Sequence, residues 1–305
     1  MKIVKNQITD YVSINVENDE TEWLSTNVYN FRDELRDGNF IYKYAGINGT
    51  NTELSPSVIY ERDKELAPIW VLTRPTNYFA LLDDKSSTQT ENAESLVFEV
   101  LNGRYETFSL LNLEAQSVMI ELIDITTAEI YQTINFDLLD RSDRIDALSH
   151  YFNPIKLKTN VYADNIYLLG NTKLKVTILN GGDIAKCGRL IFGRSYYIGE
   201  TQYDGATLDL QSFSRFETDT FGNTDLKQGN SIRTAKYNVK IPTNKIISVY
   251  DKRIEYDAIP LLFIADESSN SKLENLLLFG YFVSSPISIK NPVNSNIPVD
   301  IKGLL

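Results

Sequence analysis

Apolar and polar residues alternate in short runs along most of the chain, and turn-forming residues separate these runs. In the run Lys173–Leu179, the side chains of Leu174, Val176 and Ile178 point to one face of an extended strand, and the polar side chains point to the other. The Asn-Gly-Gly-Asp sequence that follows is typical of a tight turn, because asparagine and glycine readily adopt positive φ. Comparable runs predict ten further strands: Leu96–Leu101, Thr107–Leu111, Ser117–Ile123, Glu129–Ile134, Arg189–Phe192, Thr207–Phe213, Ile232–Ile241, Lys245–Tyr250, Ile259–Ile264 and Leu276–Val283.

Helical spacing is confined to two short segments. Arg141–Phe152 places apolar residues three and four positions apart, and Pro154 ends it. Ile59–Leu66 is the second candidate helix, and Pro68 would end it. The sequence therefore predicts an all-β fold with one or two short helices, in which a β-sandwich body buries the inner faces of two sheets.

Shifts in composition divide the chain into three parts. The stretch 83–94 is polar and carries no large apolar side chain, which is typical of a linker, and a further polar connection occupies 217–231. We expect an N-terminal segment with a small three-stranded aromatic module at 1–85, a β-sandwich body at 86–285 and an extended tail at 286–305. The tail contains three prolines at six-residue spacing, so we expect it to lie on the surface or on a neighbouring molecule.

The composition of the 305 residues excludes several classes of protein. A net charge of -11 without a basic cluster excludes typical nucleic-acid binders, whose affinity depends on lysine and arginine. One cysteine and one histidine exclude an internal disulfide, an iron–sulfur site and a centre with several histidines. No apolar run is long enough for a secretory signal or a membrane span, so we expect synthesis in a cytoplasm and no membrane insertion.

The first third of the chain contains the most informative group of aromatic residues: Trp23, Tyr29, Tyr42, Tyr44 and Trp70. Their order, with an Asn/Gly/Pro-rich loop between the last two, resembles the small chitin-binding type of carbohydrate-binding module from residue 22 to residue 71. The resemblance implies a compact three-stranded unit in which an exposed ring stacks on a sugar. The alternative is that the same rings pack together and hold a sheet that has no deep core. The charged run 32–37 provides no second aromatic platform for a sugar.

Three further segments resemble tail-associated structural proteins of tailed bacteriophage virions. The first is Thr73–Asp83, which contains Pro-Thr-Asn, two aromatic residues, alanine, two leucines and aspartate; the others are Gly193–Gly205 and Phe213–Gly222. The resemblance implies a structural part of a virion tail, made in the host cytoplasm, that binds other tail proteins and forms a homo-oligomer. It implies no catalytic residue and no cofactor.

Tyr196, Tyr197 and Tyr203 lie among glycines that recur every six residues, at positions 193, 199 and 205. Glycine gives the backbone freedom at tight bends, and tyrosine packs its ring while its hydroxyl reaches a partner. These three tyrosines therefore define a candidate assembly loop. Ordinary corners of a β-sandwich explain the same spacing.

Recognisable catalytic and metal-binding motifs are absent from the sequence. A Cys187–His150 pair is formally possible, but a buried cysteine and a solvated histidine account for both residues. Asp219 and Asp225 lack the regular spacing of a calcium loop, and nothing selects a pair of carboxylates for glycoside hydrolysis. We expect a non-enzymatic structural protein of a phage tail, baseplate or tail-surrounding ring, with no cofactor and no metal. The alternatives are an adhesion protein that binds host surface glycans and a glycosidase with an appended binding module.

Overall fold

The computed structural model describes residues 1–66, 68–140, 156–218, 220–265, 276–287 and 293–304. Strands account for 51% of the structure and helices are few and short, so the all-β prediction is confirmed. The predicted helix Arg141–Phe152, with His150 near its end, lies outside the described residues.

The described residues form twenty-five strands and two α-helices, numbered here in chain order. The helices are α1 (Pro56–Asp63) and α2 (Ile246–Glu255), and a 3-10 turn at Thr243–Lys245 precedes α2. The strands are β1 (Lys2–Val4), β2 (Ser13–Ile14), β3 (Val28–Tyr29), β4 (Glu34–Asp37), β5 (Phe40–Tyr44), β6 (Thr50–Asn51), β7 (Trp70–Pro75), β8 (Thr90–Asn92), β9 (Ser95–Leu101), β10 (Thr107–Glu114), β11 (Ser117–Asp124), β12 (Ile130–Asp137), β13 (Leu139–Asp140), β14 (Lys156–Leu157), β15 (Val161–Ala163), β16 (Thr172–Leu179), β17 (Ala185–Gly193), β18 (Ser195–Tyr197), β19 (Glu200–Ser212), β20 (Arg215–Thr218), β21 (Thr224–Lys227), β22 (Ser231–Pro242), β23 (Leu261–Ile264), β24 (Leu277–Ser284) and β25 (Asn294–Gly303).

Both helices differ from the sequence-based predictions. α1 begins at Pro56, because proline fits the first turn of a helix, and it ends at Asp63, earlier than predicted. The predicted strand Lys245–Tyr250 is wrong, because this segment forms the end of the 3-10 turn and the start of α2. Ile246 and Val249 lie three positions apart and pack against the same core, which is helical spacing.

Contacts between residues divide the chain into two compact units. Unit I contains Met1–Gln7, Tyr105–Thr107 and Ile191–Leu305, and unit II contains Ile8–Arg104 and Phe108–Leu190. This division differs from the boundaries expected from composition, which lie near residues 85 and 285. Each unit combines segments that are distant in sequence, and such a division leaves no break in composition at its boundaries.

Unit I is built on a seven-stranded antiparallel sheet with the strand order β18-β1-β23-β24-β25-β22-β19. The two edge strands are neighbours in sequence, since only Ile198 and Gly199 separate β18 from β19. The sheet must therefore curl until its two edges approach each other. The Ile198 amide donates a hydrogen bond to the Met1 carbonyl oxygen, which fixes this connection beside the start of β1. The core of unit I lies on the inner face of the curled sheet.

One of the three prolines near the end of the chain, Pro298, lies in this sheet. β25 pairs with both β22 and β24, and alternate residues along it are buried. Pro298 lies opposite Asn238 of β22, while Ile297, Val299 and Ile301 fill the core. Asn294–Gly303 of the expected tail is therefore extended, as predicted, but it is an inner strand and not a surface segment.

Unit II contains a sandwich-like pair of sheets and the small aromatic module. The two sheets have the strand orders β12-β11-β16-β9-β2 and β15-β10-β17-β8. Alternate side chains of β9, β11 and β16 are buried, as their sequence alternation predicted. Asp83 and Thr90 are also buried, and β8 pairs with β17, so the polar stretch expected to be a linker is part of the folded unit. β4, β5 and β7 form the predicted three-stranded sheet of the module.

Candidate functional site

Four of the five aromatic residues predicted to bind a sugar lie in the core of the small module. The exposed fraction is 0% for Trp70, 1% for Tyr44, 4% for Tyr29 and 5% for Tyr42. The ring centroids of Tyr29 and Tyr44 lie 5.4 and 4.8 Å from that of Trp70, in edge-on and tilted geometry. The rings pack on one another, which is the alternative that the sequence left open, and they offer no flat face to solvent.

Trp23 is half-buried at the margin of this cluster. Its indole Nε1 donates a hydrogen bond to Thr52 Oγ1 over 3.3 Å. The Tyr29 hydroxyl donates to the Leu24 carbonyl oxygen over 2.5 Å and accepts from the Leu24 amide over 2.9 Å. Burial raises the pKa of Tyr42 to about 12. This arrangement holds the module together, and it removes the predicted sugar-stacking role from the four buried rings.

The three tyrosines of the candidate assembly loop lie in strands at the two edges of the unit I sheet. Tyr196 and Tyr197 belong to β18, and Tyr203 belongs to β19. Tyr196 packs partly against the core, whereas Tyr197 is 44% exposed. The expected loop is limited to the short connection between these strands. A Cβ atom at Gly199 would lie 2.4 Å from the Lys240 carbonyl oxygen, so only glycine fits there.

Residues 204–218 and 220–234 form a β ribbon, which we call the arm. β19 and β22 pair along it from Asp209–Thr234 to Ser212–Ser231, and β20 pairs with β21 beyond them. The described residues from 204 to 231 are all exposed except Ser214, which is half-buried. Six large apolar side chains along the arm are more than half exposed: Leu208, Leu210, Phe213, Phe216, Phe221 and Leu226.

The sequence predicted only part of the arm. Thr207–Phe213 and Ile232–Ile241 were expected as strands, and all of these residues except Phe213 lie in β19 and β22. The stretch 217–231 was expected as a plain polar connection. Large apolar residues such as Phe216 and Leu226 in or beside this polar segment were the sequence signal that the arm carries exposed apolar side chains.

The hairpin of β20 and β21 carries like charges on directly opposed residues. Arg215 pairs with Lys227, and Glu217 pairs with Asp225, in the antiparallel register. Ion pairs form along each strand instead: Arg215 Nε lies 3.2 Å from Glu217 Oε1, and Lys227 Nζ lies 3.7 Å from Asp225 Oδ2. One face of the hairpin therefore has a positive band beside a negative band. Like charges opposite each other destabilise a strand pair.

Cys187 lies in β17 and is fully buried. Its Sγ lies 3.8 Å from the Leu111 carbonyl oxygen and 3.9 Å from that of Arg189. Burial raises the pKa of the thiol, which disfavours the thiolate that nucleophilic attack requires. Its candidate partner His150 and the cation-site candidate Asp219 lie outside the described residues. Cys187 therefore has the surroundings of a structural cysteine.

A pocket of about 350 Å³, including its open mouth, lies beside α2 in unit I. Ile198, Val249 and Phe282 contribute to its apolar wall. Ser285 Oγ and Arg253 Nε are buried in its lining and have no hydrogen-bond partner among the described residues. The space inside the pocket that is open to a water-sized molecule is about 20 Å³, which is room for about one water and not for a larger ligand.

No protein-family model and no curated protein matches the chain. Within the described ranges, no three His, Cys, Asp or Glu side chains come close enough together to hold a metal ion. In the same part of the chain, no helix has the length and apolar character needed to cross a membrane. Among the described surfaces, the arm is the most distinctive, because it carries six large apolar side chains that are more than half exposed.

Proposed function

We propose that this protein is a structural subunit of a tailed-phage virion, in the tail, the baseplate or a ring around the tail, and that it acts through contacts between subunits. The observation that carries the proposal is the exposed arm of unit I. The resemblance to tail-associated virion proteins supports the same class, and two of the similar segments, Gly193–Gly205 and Phe213–Gly222, overlap the arm.

The arm is poorly suited to exist alone in water. An isolated two-stranded ribbon is marginally stable, because it needs further strands or a packed face to bury its apolar side chains. Leu208, Leu210 and Phe216 are 62%, 57% and 70% exposed, and contiguous exposed apolar groups mark interaction sites. A second copy of this chain is the partner that the charge bands of the hairpin favour. Contact with that copy covers the apolar side chains and makes the arm an assembly element.

An arm-shortened variant tests the proposal. Replacing residues 209–234 with Asn-Gly joins Leu208 to Ala235, which lie opposite each other in the register, through a two-residue turn. Size-exclusion chromatography with light scattering, followed by negative-stain microscopy, should show oligomers of the wild type and monomers of the variant. Circular dichroism and the melting temperature should change little, because the removed residues contribute little to the core.

Ile130→Lys provides a matched control for the apolar surface. Ile130 is 50% exposed in the edge strand β12 of unit II, away from the arm in the sequence, and its variant should assemble like the wild type. Mass spectrometry of purified virions should detect the chain. A wild-type protein that is strictly monomeric and absent from virions contradicts the proposal.

A further inference from the structure

The charge pattern of β20 matches a second copy of the same strand. Successive side chains of a strand point to opposite faces, so Arg215 and Glu217 share one face and Phe216 points to the other. When two β20 strands run antiparallel with Phe216 at the centre, Arg215 of each copy lies opposite Glu217 of the other. Unlike charges then oppose each other between copies, although like charges oppose each other within one hairpin.

The outer edge of β20 is available for this pairing. β20 and β21 form a two-stranded sheet, and no other described strand pairs with either of them. The side chains of Arg215 and Glu217 are 75% and 55% exposed. A free strand edge presents unpaired N–H and C=O groups, which favour the addition of another strand.

We infer that β20 pairs antiparallel with β20 of a second copy across a two-fold axis, so that two hairpins form a four-stranded sheet. The inference rests on the proposed function and names the partner and the contact of the arm. A two-fold contact uses the same patch twice, so the Arg215–Glu217 ion pair between copies forms two times. These pairs offset the repulsion inside each hairpin.

The apolar side chains of the two copies lie together on the other face of the four-stranded sheet. Phe216 lies opposite Leu226 within one hairpin, and the two side chains are 70% and 66% exposed. Pairing of the copies places the two Phe216 rings side by side at the centre, with Leu226 on each flank. β20 is favoured over β21 as the contacting edge, because arginine binds a carboxylate with two donors and phenylalanine covers more area than leucine.

Charge variants of β20 test the inference by sedimentation equilibrium. Arg215→Glu makes the contacting edge wholly acidic and Glu217→Arg makes it wholly basic, so each variant alone should associate about tenfold more weakly than the wild type. An equimolar mixture of the two variants should associate as a heterodimer. The double variant R215E/E217R reverses the order of the charges and should associate like the wild type.

Lys245→Glu is the matched control, because it makes the same charge change as Arg215→Glu at an exposed residue of the 3-10 turn, off the arm. Its association should equal that of the wild type. Undiminished association of Arg215→Glu and Glu217→Arg, or a mixture that fails to recover, overturns the inference. The proposed function survives that result if the arm-shortened variant is monomeric. An arm-shortened variant that still forms oligomers rejects the role of the arm itself.

Discussion

Trp70 is the residue on which the small module of unit II depends most. Its side chain is fully buried, and the ring centroids of Tyr29 and Tyr44 lie within 5.4 Å of its own. Aromatic contacts of this kind add about 0.5–1.5 kcal/mol each beyond the area they bury. Because the main sheet of the module has three strands, few other side chains can replace this contribution.

Trp70→Ala should lower the free energy of unfolding by about 3–5 kcal/mol, because it leaves a cavity among the remaining rings. Val71→Ala in the same strand is the control, since Val71 is 43% exposed and its truncation should cost about 0.5 kcal/mol or less. Urea denaturation followed by circular dichroism measures both effects. Similar losses for the two variants would show that Trp70 does not hold the module together.

The order of aromatic residues predicted that they meet in a small sheet, and the structure brings them together. Their exposure was not predictable, because spacing along a strand does not specify which face a neighbouring segment covers. The sequence left sugar stacking and packing as alternatives for Trp70 and its neighbours. Burial to 5% or less decides between them for all but Trp23.

Among the elements, β25 has the greatest effect on the stability of unit I. It pairs with β22 on one side and β24 on the other, so it joins two parts of the sheet that have no other direct pairing. Ile297, Val299 and Ile301 on its inner face are buried, and each contributes about 1.5–3 kcal/mol by leaving water. Their sum is comparable to the whole stability of a typical domain, about 5–15 kcal/mol.

Deletion of residues 294–305 should therefore unfold unit I. The expected results are a partial loss of the strand signal in circular dichroism, because unit II keeps its own sheets, and rapid cleavage of unit I by trypsin. A chain that ends at Gly303 keeps β25 and should stay folded. If the variant that lacks residues 294–305 has the same melting temperature as the wild type, β25 does not have this effect on the stability of unit I.

Strands with clear alternation were predictable, and elements that depend on distant partners were not. β9, β11 and β16 carry their pattern in their own residues. β8 is polar and becomes a strand because it pairs with β17. The β-branched residues near the start of α2 favour a strand locally, but the packing of Ile246 and Val249 against the unit I core selects the helix.

At the scale of the whole molecule, charge opposes self-association. The chain has 41 acidic and 30 basic residues, and the net charge of -11 repels a second copy over long distances. The ion pairs inferred between two β20 strands act only at short range. The screening length is about 30 Å at 0.01 M salt and about 3 Å at 1 M salt. A low salt concentration therefore screens the long-range repulsion between copies, whereas a high concentration is needed to weaken the close ion pairs.

Self-association should therefore depend on salt in two stages. The association constant should rise between about 10 and 150 mM sodium chloride, as the repulsion between copies is screened, and fall towards about 1 M, as the ion pairs weaken. Sedimentation equilibrium across this range measures the dependence. If the association constant instead falls steadily from the lowest sodium chloride concentration, the attraction within the ion pairs outweighs the net repulsion between copies even at low salt.

The continuous path of β22 has a mechanical consequence. This strand runs from the arm into the sheet without a break, and it pairs with β25 at nine positions from Thr234 to Pro242. A force on the arm along the strand direction acts in shear on all the backbone hydrogen bonds between β22 and β25 at the same time. These hydrogen bonds therefore cannot break one after another. Tension applied at the tip is thus carried into the interior of unit I, and subunits joined through their arms would resist being drawn apart.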